Sequence, residues 1–159
     1  MKLRQSLISC GLMLAACLSP LTAAAQGSAK PVYNEQADAR AELNLALSQA
    51  NAQRKNVLVV FGANWCKDCL ALDAKLAEGK LQAESSRRFV TLKVNVGRFD
   101  RNTDLAAQMG VPLKKGIPAV AVLGADGQVL SATGGGELAD ARSMGDEAVL
   151  KVLDGLKTH

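Results

Sequence analysis

Val57-Leu58-Val59-Val60-Phe61-Gly62-Ala63-Asn64-Trp65-Cys66-Lys67-Asp68-Cys69 is the stretch on which the fold turns. Its first five residues form an unbroken apolar run, rich in β-branched valine and bounded by Asn56 and Gly62, as in a strand buried on both faces. Beyond the cysteines, Leu72 and Leu76 continue a stripe at helical spacing that Cys69 begins. The cysteine pair is therefore predicted at the corner where a buried strand becomes a helix. A thiol attacks a disulfide only as the thiolate, and free cysteine, with a pKa of about 8.5, is mostly protonated near neutrality. Unpaired N–H groups and the positive end of the dipole at a helix start favour the anion. Lys67 adds a cation beside Cys66, and Asp68 opposes it. The expected balance is a lowered pKa for Cys66, while Cys69, one turn further in, is more buried and keeps its proton longer. Cys66 is then the attacking thiol, and Cys69 resolves the mixed disulfide by displacing the partner.

Around this corner the chain alternates between helix and strand periodicities. Residues 26–36 are small and polar and read as a flexible lead-in segment. Residues 35–54 place Ala39, Leu43, Leu47 and Ala50 on one helical face. Gly79 interrupts the helix that follows the cysteines, and residues 81–88 read as a further turn or two. Residues 89–96 alternate with Val90, Leu92, Val94 and Val96 inward, a second strand. A short helix over 103–109 and a loop over 110–116 lead to a third strand over 117–123. Asp126-Gly127 turns it into a fourth, antiparallel strand over 128–132. Gly134-Gly135-Gly136 lacks a following helix at phosphate-binding spacing and reads as a flexible loop. The closing helix carries Val149, Val152, Leu153 and Leu156, with Ser143 as its expected cap. The fold class is α/β, a mixed sheet of about four strands flanked by helices.

The chain has 159 residues, enough for one globular domain with a real core. Residues 1–25 have the form of a secretory signal peptide: Lys2 and Arg4, an apolar run over 7–18, then Ser19-Pro20 and small residues up to Ala25. Leu14-Ala15-Ala16-Cys17 gives an alternative, a lipoprotein signal over 1–16 with a lipidated Cys17; only that route attaches the chain to a membrane. Pro20 and the alanine run favour ordinary cleavage. Export to an oxidising, periplasmic compartment is expected either way. The formal charge is +4, and only 3% of residues are aromatic, so no nucleic-acid partner is expected. Half a zinc site is the alternative for a Cys-x-x-Cys. After cleavage only Cys66 and Cys69 remain, and the single histidine is His159, so no metal is expected.

The run from Phe61 to Cys69, the strand before it, and Gly116-Ile117-Pro118 ahead of another strand resemble the thioredoxin-like superfamily over roughly residues 37–156. Among its branches, the likeness is to exported bacterial thioredoxin-family proteins and the soluble domains of membrane disulfide-reducing systems. The resemblance implies a thioredoxin-like domain over 37–159, a cis Pro118 facing the cysteine pair, and an Ile117 that offers its backbone to an extended substrate. It implies a platform or substrate contact for Trp65, and no bound cofactor. It further implies protein thiols or disulfides as partners, a membrane partner recharging a reductase, and a monomer. Two departures stand out. Val60 occupies the place of the family's buried acid, leaving water, Lys93 or the substrate to take the proton of Cys69. Ala74 replaces a helix-kinking proline. Lys93 aligns with a lysine that points beneath the active site, although a strand lysine also snorkels readily to solvent. Lys114-Lys115, close to Pro118, would bias partner choice by charge. The expected activity is thiol–disulfide exchange in the reductase direction. The alternative is a binding module or metal carrier of the same fold without redox turnover, although the lack of a histidine near the motif disfavours a copper carrier.

Overall fold

The computed structural model describes residues 30–158; the expected leader, Cys10, Cys17 and His159 lie outside the described residues. The organising element is the strand β1 (Asn56–Gly62), buried from Val57 onward. It pairs in parallel with β2 (Phe89–Asn95) and antiparallel with β3 (Ala119–Leu123), which pairs antiparallel with β4 (Val129–Ala132). The sheet order is β2-β1-β3-β4. With neighbours on both edges and helices on both faces, β1 has no wet side, which is why its sequence does not alternate.

Successive residues of β1 point into two cores. Val57, Val59 and Phe61 meet α1 (Ala39–Gln53) and α4 (Thr103–Gln108), through Ala46, Ala50, Leu105 and Ala106. Leu58 and Val60 meet Leu72, Leu81 and Leu153 from α2 (Lys67–Ala77), α3 (Gly79–Arg88) and α5 (Asp146–Gly155). Each such fully buried side chain contributes about 1.5–3 kcal/mol relative to exposure. The mixed sheet flanked by helices is the architecture expected from the sequence. Among the described residues no helix is long and apolar enough to cross a membrane.

Several boundaries differ from the sequence reading. Helix α1 starts at Ala39 because the Asp38 carboxylate accepts the N–H groups of Arg40 and Ala41 at 3.0 and 3.1 Å. Helix α3 is a full ten residues. The 110–116 stretch contains one 3-10 turn, Leu113–Lys115, that buries Leu113. Strand β3 begins at Ala119, so Ile117 and Pro118 precede the ladder. Ser143 does not cap α5; its hydroxyl donates to the Asp140 carbonyl at 2.9 Å, and Gly145 holds the cap position.

Where it is described, the lead-in segment makes specific contacts with the domain. Tyr33 is fully buried, and its backbone N–H donates to Asn64 Oδ1 at 2.9 Å while Asn64 Nδ2 donates back to the Tyr33 carbonyl at 2.8 Å. The phenol fills the space above Gly62, where a Cβ would stand 2.5 Å from Tyr33 Cζ. A small polar segment thus gains a fixed position from one aromatic ring and one missing side chain. Gly62→Ala, which forces the ring out, is expected to cost about 1–3 kcal/mol in urea unfolding. An unchanged midpoint would contradict this keyed packing.

Candidate active site

Strand β1 delivers the chain to α2 through a tight turn in which the N–H of Cys66 donates to the Ala63 carbonyl at 3.1 Å. Cys66 is the N-cap of α2, and its sulfur accepts the N–H of Cys69 at 3.1 Å. Serine or aspartate normally fills this position, satisfying a donor that the helix leaves unpaired. Here the acceptor is the sulfur itself. The two residues are joined by a disulfide with Cα atoms 5.2 Å apart. Cys66 is 6% exposed and Cys69 is fully buried, so the sulfur of Cys66 is the one nearer the surface. The Ile117 carbonyl oxygen lies 3.6 Å from Cys66 Sγ, and the buried Pro118 follows across a cis peptide bond.

The sequence-predicted charges take different positions. Lys67 is exposed. Asp68 turns away from solvent to accept the backbone N–H of Arg142 at 3.0 Å, with the Arg142 guanidinium 3.9 Å away. Lys93 does not stand free: it pairs with Asp73, one turn beyond Cys69 on α2. Its counter-ion therefore comes from the helix, while the strand neighbour at 60 is an apolar, buried valine. Burial, and then the nearby Asp73 charge, push the Tyr33 phenol well above its ordinary pKa, so it stays protonated.

Two segments that sequence reasoning did not assign to the site flank it. On one side, Trp65 donates from Nε1 to the Gly97 carbonyl at 2.7 Å and packs edge-on against Phe99, with ring centroids 6.0 Å apart. The Arg98 guanidinium lies over the Trp65 ring at 5.7 Å. On the other side runs the segment 134–142, with Leu138 and Ala141 fully buried. Its glycines are ordered around Glu137, which accepts the N–H groups of Gly134 and Gly135 at 3.2 and 3.0 Å. Burial works against ionisation of Glu137, but the surrounding N–H groups hold its carboxyl below the usual range. That contribution to stability is present above the ordinary carboxylate pKa and is lost as pH falls through the lowered one. The signals available in the sequence were Tyr33 as the sole tyrosine and the isolated Phe99 in a polar loop; nothing in it tied Arg142 to Asp68.

With Cys66 at the cap, the arrangement can hold a thiolate, accept a mixed disulfide at the outer sulfur, and close a disulfide within one helical turn. Among the described residues no group of three or more His, Cys, Asp or Glu side chains is placed to hold a metal ion.

Residues 38–125 match the model of a protein family described as thioredoxin-like, a span containing the cysteine pair and Pro118. Comparison with curated proteins finds no match. Among solved structures, the chain is similar to a disulphide isomerase from Xylella fastidiosa Temecula1, at 42% identity over 80% of this chain and 97% of that one, with a TM-score of 0.75. The oxidised C-terminal domain of DsbD from Neisseria meningitidis is alike in fold, at 19% identity over 76% of this chain and 97% of that one, with a TM-score of 0.54.

The carboxylate of Asp68 sits in the same helical turn as the sulfur it would repel once Cys66 is a thiolate. Asp68→Asn is expected to make the Cys66–Cys69 couple more oxidising by about 10–20 mV, the equivalent of one charge at a helix end. Titration of Trp65 fluorescence against glutathione buffers measures this; an unchanged or more negative potential would contradict it.

Proposed function

The chain belongs to the thioredoxin-like family, and on that premise we propose that it is an exported thiol–disulfide oxidoreductase that works through Cys66 and Cys69 on disulfides of other proteins. The observation that carries this reading is the sulfur of Cys66 at the N-cap of α2, with the N–H of Cys69 aimed at it. Its likeness to a disulphide isomerase at 42% identity supports the same chemistry.

In the reduced protein the thiolate of Cys66 attacks one sulfur of a substrate disulfide. A bond forms between them, the substrate S–S bond breaks, and one substrate thiolate leaves and takes up a proton. Cys69 then loses its proton, and its thiolate attacks the sulfur of Cys66. The second substrate thiolate leaves, and the Cys66–Cys69 disulfide remains. Substrate has gained two electrons from the enzyme and, once both of its thiolates are protonated, two protons, one released by Cys69 and one taken from solvent. Ile117 presents its carbonyl beside Cys66, and Pro118 and Trp65 border the place where an extended substrate chain would lie. Lys67, exposed beside Cys66, favours its thiolate; Lys93, neutralised by Asp73, tunes the pair from beneath α2. No cofactor takes part.

The reductase direction is the main reading. Asp68 tempers the pull of the helix start on the thiolate, which keeps the disulfide form accessible and the dithiol a donor. A reductase in an oxidising compartment needs electrons returned to it, and a membrane dithiol partner would supply them. The leader over 1–25, or lipidation at Cys17, supports placing the domain in the periplasm. A second reading, disulfide isomerisation, is favoured by the Xylella neighbour. It requires attack by Cys66 and re-attack by a substrate thiol, with no net electron transfer.

Single substitutions separate the two readings. Cys66→Ser is expected to bring both dithiothreitol-coupled insulin reduction and the rescue of a scrambled disulfide protein down to background. Cys69→Ser is expected to abolish reduction and accumulate a mixed disulfide on Cys66. If Cys69→Ser still rescues the scrambled protein while the wild type barely reduces insulin, isomerisation is the function. Full activity of Cys66→Ser in both assays would refute thiol chemistry altogether.

A further inference from the structure

The segment 134–142 braces the cysteine site from two directions. Near its start, Gly136 has a φ of 84° and lies so close to Lys115 that a Cβ on it would collide with the Lys115 carbonyl oxygen. Three residues on, Ala139 packs so tightly on Gly116 that a Cβ there would stand 2.7 Å from the Ala139 Cβ. Lys115 and Gly116 lead directly into Ile117, whose carbonyl oxygen is 3.6 Å from Cys66 Sγ. At the other end, the Arg142 N–H donates to the Asp68 carboxylate at 3.0 Å, in the first turn of α2. Between the ends, Leu138 and Ala141 are buried in the same core as Leu72 of α2.

Both groups that this segment holds oppose a negative charge on Cys66. The Ile117 carbonyl oxygen accepts the S–H of a protonated Cys66 and repels its thiolate, and Asp68 repels the thiolate with a full charge. Lys67 and the helix start pull the other way. The balance depends on where the Ile117 carbonyl stands, and three successive glycines do little to keep it there, since glycine loses more freedom on ordering than any other residue. The exposed Glu137 supplies the order. Its two carboxylate oxygens separately accept the N–H groups of Gly134 and Gly135 at 3.2 and 3.0 Å, charge-assisted bonds to a backbone nest. Before the glycines, Thr133 is fixed to β3, its hydroxyl oxygen accepting the Val120 N–H at 2.9 Å. After them, Leu138 is fully buried. The carboxylate therefore closes the gap between two fixed points.

We infer that Glu137 is a positioning residue of the redox pair: by ordering the glycines it presses Gly136 and Ala139 against Lys115 and Gly116, keeps the Ile117 carbonyl beside Cys66, and so makes the Cys66 thiolate less stable than the helix start alone would. This rests on the thiol–disulfide reading above and adds to it a residue that sets the direction, because a less stable thiolate makes the reduced pair the better electron donor.

The test follows the ionisation of Cys66 by thiolate absorbance against pH in the reduced Cys69→Ser protein, with further substitutions added to it. Glu137→Gln leaves one acceptor oxygen for two N–H groups. Ala139→Gly removes the brace against Gly116 without changing any charge, and it carries the test should Glu137→Gln fail to fold. Each is expected to raise the Cys66 ionisation constant about twofold to fivefold, the effect of a partial charge at a helix start. Both shifts are expected to persist in about 1 M salt, where a direct charge effect of the exposed Glu137 is screened. Leu156→Ala, in the core beyond the end of α5, is expected to lower the urea midpoint and leave Cys66 unmoved. An unchanged constant in either brace variant, a Glu137→Gln shift that salt erases, or the same shift in Leu156→Ala would overturn the inference. A parent Cys66 that titrates at or above about 8.5, in a protein whose reduced wild type reduces no glutathione disulfide, would instead sink the thiol reading, and this inference with it.

Discussion

A sulfur atom serves as the cap of α2, and the rest of the molecule depends on that substitution of sulfur for the usual oxygen. A helix start leaves N–H groups without partners, and an oxygen-bearing side chain normally accepts one of them. Sulfur in a disulfide is a weak acceptor, whereas a thiolate is a charged and much better one. The cap is therefore better satisfied when Cys66 is reduced and ionised. This couples the local stability of the helix start to the redox state of the pair. It also explains why the strand beneath must be immovable. Strand β1 is buried on both faces and paired on both edges, so the position of Cys66 relative to the first turn of α2 cannot drift.

The surroundings of the cap divide the work. Beneath it, Tyr33 fills the gap over Gly62, and the Lys93–Asp73 pair ties β2 to α2. The strand neighbour of Lys93 is the apolar Val60, and the acid that meets Lys93 comes from the helix instead. On one flank, the segment 134–142 presents the Arg142 N–H to Asp68 and so fixes a negative charge in the first turn. On the other, Trp65 and Phe99 pack edge-on as a half-exposed aromatic pair. In the proposed function the first flank bears on the thiolate and the second on substrate contact.

The cysteine corner was legible in the sequence because three independent patterns agree there: a continuous apolar run, a glycine that ends it, and a helical stripe begun by Cys69. Burial on both faces leaves no alternation to read, and length together with β-branching resolves the strand. The four-strand sheet followed from the same logic. Less legible were contacts across sequence. Tyr33 fell in the 26–36 segment read as a flexible lead-in because its neighbours are small and polar, and its anchoring depends on Gly62 and Asn64, about thirty positions away. Lys93 could be read equally as solvated or inward, since its counter-ion at Asp73 sits on a different element. The glycine run at 134–136 suggested looseness, yet Glu137 organises its N–H groups, a local anion nest that composition alone does not reveal.

The most direct measurement is the ultraviolet absorbance of the thiolate in the reduced Cys69→Ser protein, recorded against pH, so that Cys66 alone contributes. A titration midpoint clearly below the value of about 8.5 for an unstructured cysteine, abolished when Cys66 is also replaced, is what a sulfur held at a helix start predicts. A midpoint at or above that value would mean that the cap does not stabilise the anion, and the account of how this protein exchanges disulfides would be wrong.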